Sequence, residues 1–152
     1  MGTNYYWAEN VCECCGRKDL IHIGKSSYGW AFSFRGHSTT DKWKYLPTEA
    51  GNEICLEYKV ELYSWKQYKE FLKNKIIYNE YNEIVDYNWF VDFVENEKSP
   101  NFVNETTGLK NLNHIYEILS NPRCNTIHSE YSDRNLHWND EDGYSFSSTE
   151  FS

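Results

Sequence analysis

Three of the five cysteines, Cys12, Cys14 and Cys15, fall within four positions, and Gly16 follows them directly. Two sulfurs three residues apart on one tight loop reach the same tetrahedral ion, as in zinc knuckles. A glycine after the second sulfur lets the backbone turn without a Cβ penalty. The odd number and tight clustering fit reduced thiols better than a disulfide framework, and adjacent Cys14 and Cys15 are poorly placed to bridge each other. Cys12 and Cys15 are therefore the expected ligand pair, although Cys14 can replace either.

Two more donors are needed. His22 lies in the apolar run Leu20 to Ile23, which the alternation predicts as a strand, and the next strand is expected through Trp30, Phe32 and Phe34. If Gly24 to Gly29 is the hairpin loop, the start of the first strand lies beside the end of the second, which brings His22 near His37. The expected site is one structural Zn2+ held by Cys12, Cys15, His22 and His37. The plainer alternative is a loop of reduced cysteines with His22 bonded to a backbone group.

Gly24, Lys25, Ser26 and Ser27 invite comparison with a phosphate loop. The Walker pattern requires a glycine five positions before, where Asp19 stands, so the cradle of amides is incomplete and an NTPase is excluded on that ground. What remains is a turn with Lys25, Ser26 and Ser27 beside the rings of Tyr28 and Trp30. It is a weak nucleotide site in which a base stacks on a ring, and an ordinary hairpin loop is the favoured reading.

The chain has 152 residues, enough for one domain with its own core. Its formal charge of −8 argues against duplex nucleic-acid binding, which depends on lysine and arginine neutralising phosphates. A protein or small-molecule partner is expected. No apolar run approaches the roughly 20 residues of a spanning helix, and the N-terminus lacks signal-peptide character. A soluble, cytoplasmic protein with no membrane partner is the expectation. Aromatic residues make up 18% of the chain, so much of its apolar surface comes on rings with a polar edge.

Further along, Asn4 to Ala8 is predicted as a strand leading into the cysteines, and residues 38 to 52 as a connection. Leu56, Tyr58, Val60 and Leu62 alternate onto one face of another strand, with Cys55 on the other face. Ser64 caps a predicted helix to about Lys73, and Asp86 caps a second to about Glu97 that buries Trp89, Phe90, Phe93 and Val94. Lys75 to Val85 reads as a hairpin or extended segment. A third helix is expected from Leu109 to Leu119 with Leu112 inward, and a strand from Thr126 to Tyr131. Asp142 and Gly143 mark a turn between His137-Trp138 and Tyr144 to Phe146. Asp133, His137, Asp140, Glu141 and Asp142, with His128 nearby, form an acidic group that is a weak candidate for a catalytic metal; no close ligand pair supports it, and the favoured reading is a solvated turn. The fold class is α+β: a single domain over 1–152, with a small antiparallel sheet from N- and C-terminal strands and about three helices. Residues 1–37 form the zinc-knuckle and hairpin subregion, and 53–152 the mixed remainder.

The opening Met1 to Tyr6, the Cys12 to Arg17 knuckle, the His22 to Ser27 run with Gly29 and Trp30, and the ending from Gly143 to Ser152 together resemble a group of small, uncharacterised proteins encoded by tailed bacteriophages and prophages. The resemblance covers both ends of the chain. It implies Cys12, Cys15 and His22 as the metal triad and an accessory phage gene, with no reaction attached. On this reading the chain is a non-catalytic binding protein in the bacterial host cell that occupies a host protein, such as a component of a CRISPR defence system. The alternative is a protein that sequesters or processes a small signal nucleotide.

Overall fold

A computed structural model describes residues 2–39, 44–113 and 137–148. The first strand is longer than predicted: β1 runs Gly2–Glu9 and pairs antiparallel with β2, Asp19–Ser27, from Gly2↔Ser27 to Glu9↔Asp19. A register shift between Tyr5 and Tyr6 leaves Ile23 as the extra residue, because Tyr5 faces Gly24 and Tyr6 faces His22. Such a bulge twists the ribbon locally. The expected hairpin loop at Gly24 to Gly29 is corrected here. Gly24 to Ser27 belong to β2, and only Tyr28 and Gly29 turn. Gly24 is there for close packing: a Cβ on it would stand 2.2 Å from the Ser33 carbonyl oxygen.

The chain returns as β3, Ser33–Arg35, beside β2, and then as the two-residue β4, His37–Ser38. The connection predicted for 38 to 52 contains β5, Tyr45–Pro47, which pairs with β6, Glu53–Cys55. The strand expected around Leu56 to Leu62 is broken, and only β7, Glu61–Leu62, pairs with β4. Leu56, Val60 and Leu62 are nevertheless buried, with Tyr58 packed against them.

Helix α1, Trp65–Phe71, starts where Ser64 predicted it, with the Ser64 side chain accepting the Gln67 amide at 3.2 Å, and continues as a 3-10 turn over Leu72–Asn74. Strands β8, Ile77–Asn79, and β9, Ile84–Val85, form the small hairpin. Helix α2, Tyr87–Glu95, is capped by Asp86, whose carboxylate accepts the Trp89 amide at 3.0 Å. It buries Phe90 and Val94, but Trp89 faces outward. The described part of the expected third helix, 109–113, is extended: Lys110 bridges Val103, Leu112 bridges Trp30, and Leu112 is exposed. The remainder of that helix and the strand expected at Thr126 to Tyr131 lie outside the described residues.

The C-terminal hairpin forms as predicted, β10 His137–Asn139 against β11 Ser145–Ser147, with Gly143 at φ 89° in the turn. β11 then pairs with β3 in parallel, so the sheet is mixed and not purely antiparallel. Its seven strands run β10-β11-β3-β2-β1-β8-β9. The α+β class therefore stands, with two short helices among the described residues.

Rings fill the interior between sheet and helices. Phe34 is fully buried and lies 4.6 Å from Phe32, 4.9 Å from Phe146 and 5.4 Å from both Trp65 and Tyr68, centroid to centroid. Offset and edge contacts of this kind add stability beyond the area that each ring buries. No helix among the described residues is long and apolar enough to cross a membrane.

Candidate functional site

The cysteine loop joins β1 to β2, and the Glu9↔Asp19 pair closes its base. Two backbone hydrogen bonds fold it: Cys12 N–H to the Arg17 carbonyl at 2.7 Å, and Gly16 N–H to the Cys12 carbonyl at 2.8 Å. Gly16 at φ 75° supplies the left-handed turn expected of it. Cys14 and Cys15 are exposed and Cys12 is half-buried. The Cys12 thiol is pushed below its ordinary pKa, first by the Cys15 amide, then by the Cys15 thiol and the Cys14 amide, with burial working against them and the Cys14 thiol adding a smaller push. Hydrogen bonds to a thiolate favour the charged, nucleophilic and metal-binding form.

The histidines are elsewhere. His22 sits three residues up β2 from Asp19, about 10 Å along the strand at about 3.3 Å per residue. Its Nε2 is 2.9 Å from Asn4 Oδ1, still farther from the loop. The Asn4 amide nitrogen donates to Glu80 at 3.2 Å, which fixes that orientation and assigns the proton to His22 Nε2. His37 donates from Nε2 to the His22 carbonyl at 2.8 Å, and its ring meets the Trp7 ring edge-on at 5.3 Å. Burial is the main reason both imidazoles stay neutral, lowering His22 to about 4 and His37 to about 3, with the positive charge of Arg35 adding to it. The structure brings His22 and His37 together, as the hairpin argument anticipated, but on the sealed middle of the ribbon and away from Cys12 and Cys15. Donors on one zinc ion lie within about 4 Å of each other. Among the described residues no group of three or more His, Cys, Asp and Glu side chains is gathered to hold a metal. Cys55 is exposed on β6 opposite Tyr45.

A polar cluster that sequence reasoning missed braces the base of the loop. The Glu9 carboxylate oxygen Oε2 accepts from the Trp7 indole N–H at 2.9 Å, the Lys75 ammonium at 2.8 Å and the Tyr58 hydroxyl. Lys75 also donates to the Tyr58 oxygen at 2.6 Å and lies 4.6 Å from that ring's centroid. Burial, then Glu9, holds the Tyr58 hydroxyl protonated well above its ordinary range. These residues are too far apart in the chain for any spacing motif to reveal them. The cluster ties the last residue of β1 to the 56–60 segment and to the end of the 3-10 turn.

At the opposite end of the ribbon, the backbone of Gly24 to Ser27 is part of β2, between β1 and β3, and does not form a phosphate cradle. Tyr28 projects from the turn, 89% exposed. The Lys98 ammonium donates to the Ser27 carbonyl at 2.9 Å and lies 6.0 Å from the Phe93 ring, on which half-exposed Trp89 stacks at 4.8 Å and 13°. On the other side of the turn, exposed Leu112 donates its amide to the Gly29 carbonyl at 2.8 Å. Trp89, Phe93 and Lys98 are thus linked to Ser27, and Leu112 to Gly29, on the two sides of Tyr28. Asp140, from the acidic group, is a structural acceptor: its carboxylate takes the Trp65 amide at 2.7 Å and the Tyr144 amide at 2.8 Å. Comparisons with protein-family models, with curated proteins and with solved structures return no match for this chain.

Proposed function

We propose that this is a non-catalytic binding protein that engages another protein through the surface from Trp89 to Tyr28 and Leu112. The observation that carries the reading is Tyr28, a large ring at the tip of a turn held on both sides by hydrogen-bonded backbone and almost wholly in water. A tyrosine on such a turn can bury much area on a partner at the cost of only two side-chain torsions, as hot-spot residues do. The chain's net charge of −8 suits a partner with lysine and arginine around an apolar centre. The resemblance to phage accessory proteins directs the search to a bacterial host protein, with CRISPR effectors and other defence complexes first.

The test is capture of an identified host protein, rebuilt with purified components. Tyr28→Ala with Trp89→Ala should lower its affinity at least tenfold, and binding should weaken as salt rises. Undiminished binding by the double variant would remove that surface from the reading. The alternative, a nucleotide-binding protein, keeps the Tyr28 ring as a stacking surface but lacks a phosphate cradle in Lys25 to Ser27. A rise in melting temperature with cyclic or linear nucleotides would favour it instead.

A further inference from the structure

The cysteine loop carries an inference independent of the Tyr28 surface. Its two backbone hydrogen bonds and the left-handed Gly16 fold residues 12 to 16 into one tight turn that carries both Cys12 and Cys15. Cys14 approaches the Cys12 sulfur with both its amide and its thiol, beside the Cys15 amide and thiol. The loop stands at the tip of the longest hairpin among the described residues, and a Cβ placed on Gly16 would meet nothing within 4 Å. The imidazoles are away from the loop, His22 with Asn4 and His37 with the His22 carbonyl. The loop therefore offers the Cys12 and Cys15 pair with Cys14 as a third thiol beside it, and falls short of the four donors that a thiolate-seeking d10 cation takes in a tetrahedron.

We propose that Cys12 and Cys15 form half of a metal site that the same loop of a second copy completes, so that one Zn2+ joins two chains through four sulfurs. A two-fold axis through the ion places identical half-sites face to face, as an isologous contact requires. Four thiolates around one divalent cation leave net negative charge; the same connection carries one acid, Glu13, and two bases, Arg17 and Lys18, of which the Lys18 ammonium lies 4.5 Å over the Tyr78 ring. Zn2+ displaces the thiol protons and no redox step is involved.

The experiment uses the full chain, reduced and stripped of metal, titrated with Co2+ as an optical probe and then with Zn2+, while light scattering reads the mass. The expected result is one ion per two chains, a mass that doubles with metal and returns to the monomer with chelator, and the intense thiolate-to-cobalt absorption of a tetrahedral four-sulfur site. Cys12→Ser and Cys15→Ser should each abolish binding and dimerisation, and Cys14→Ser and Cys55→Ser should preserve both. One ion on a monomeric chain, no binding by the reduced protein, or a dimer that persists in chelator would each overturn the proposal.

Discussion

The two strands that begin the chain carry a sealed middle and an open tip. In the middle, Trp7, Ile21, His22 and Ile23 are buried with His37 of β4 against them, and both imidazoles hydrogen-bond to groups of β1 or β2. At the tip, three thiols stand on a loop held by its own two backbone hydrogen bonds and braced from below by Glu9, Tyr58 and Lys75. Residue types that share a metal in sequence-based expectation are thus divided between a core role and a surface role. The contrast teaches that donor chemistry and nearness in sequence do not make a site. A strand's rise of about 3.3 Å per residue is enough to separate them.

The strongest way to break the sealed region is Phe34→Ala. Phe34 is fully buried among five rings, so its loss leaves a cavity costing about 3–5 kcal/mol in chemical denaturation. A cost below about 1 kcal/mol would mean that the stacked core does not exist as described.

Acid tests the same region through its histidines. Above about pH 6.5, the ordinary pKa, His22 and His37 are neutral both folded and unfolded and add no pH dependence. As pH falls below that value the unfolded chain takes up protons that the folded chain refuses, so stability falls. The loss continues down to about 4 for His22 and about 3 for His37. At about 1.4 kcal/mol per unit, the pair lowers stability by on the order of a few kcal/mol at pH 4.5. His37→Gln should flatten that slope, and an unchanged slope would place the acid sensitivity elsewhere.

These elements were unequally legible in the sequence. Ser64 and Asp86 announced their helices because an N-cap is a local device, bonding three residues ahead. The C-terminal hairpin was legible for the same reason, through Asp142 and Gly143. The parallel pairing of β11 with β3 was not, since more than a hundred residues separate partners such as Ser33 and Ser145 and neither strand's alternation specifies its neighbour. Gly24 misled because glycine followed by lysine and serines has turn composition. Its actual reason, the approach of the Ser33 carbonyl, appears only once β3 is in place. The hairpin argument still placed His22 beside His37; the nearness of that pair to the cysteines rested on sequence nearness alone. Trp89 shows the limit of helical spacing, which marks a stripe but not where the stripe ends. The Glu9 cluster depended on three distant segments and left no local signal.

The brace between the two regions yields a smaller effect. Tyr58→Phe removes one of three donors from the half-buried Glu9 carboxylate, at about 1–2 kcal/mol. Because the cluster holds the base of the loop, amide exchange in residues 10–18 should quicken more than in β3. Equal quickening in both would show that Tyr58 acts through the core alone.

The smallest effect is expected at the tip, and it sharpens the contrast most. In metal-free, reduced protein, Cys12→Ser and Cys15→Ser should leave the melting temperature indistinguishable from that of the parent chain. The loop's fold rests on backbone hydrogen bonds between Cys12, Gly16 and Arg17, which a serine retains. Substitutions on exposed surface away from caps, cores and buried partners seldom matter. With Zn2+ present the outcome reverses: an ion that binds only the folded chain stabilises the parent by mass action, and the serine variants gain nothing. A melting temperature that falls in the serine variants without metal would assign the thiols a packing role, and the tip would then resemble the middle of the hairpin.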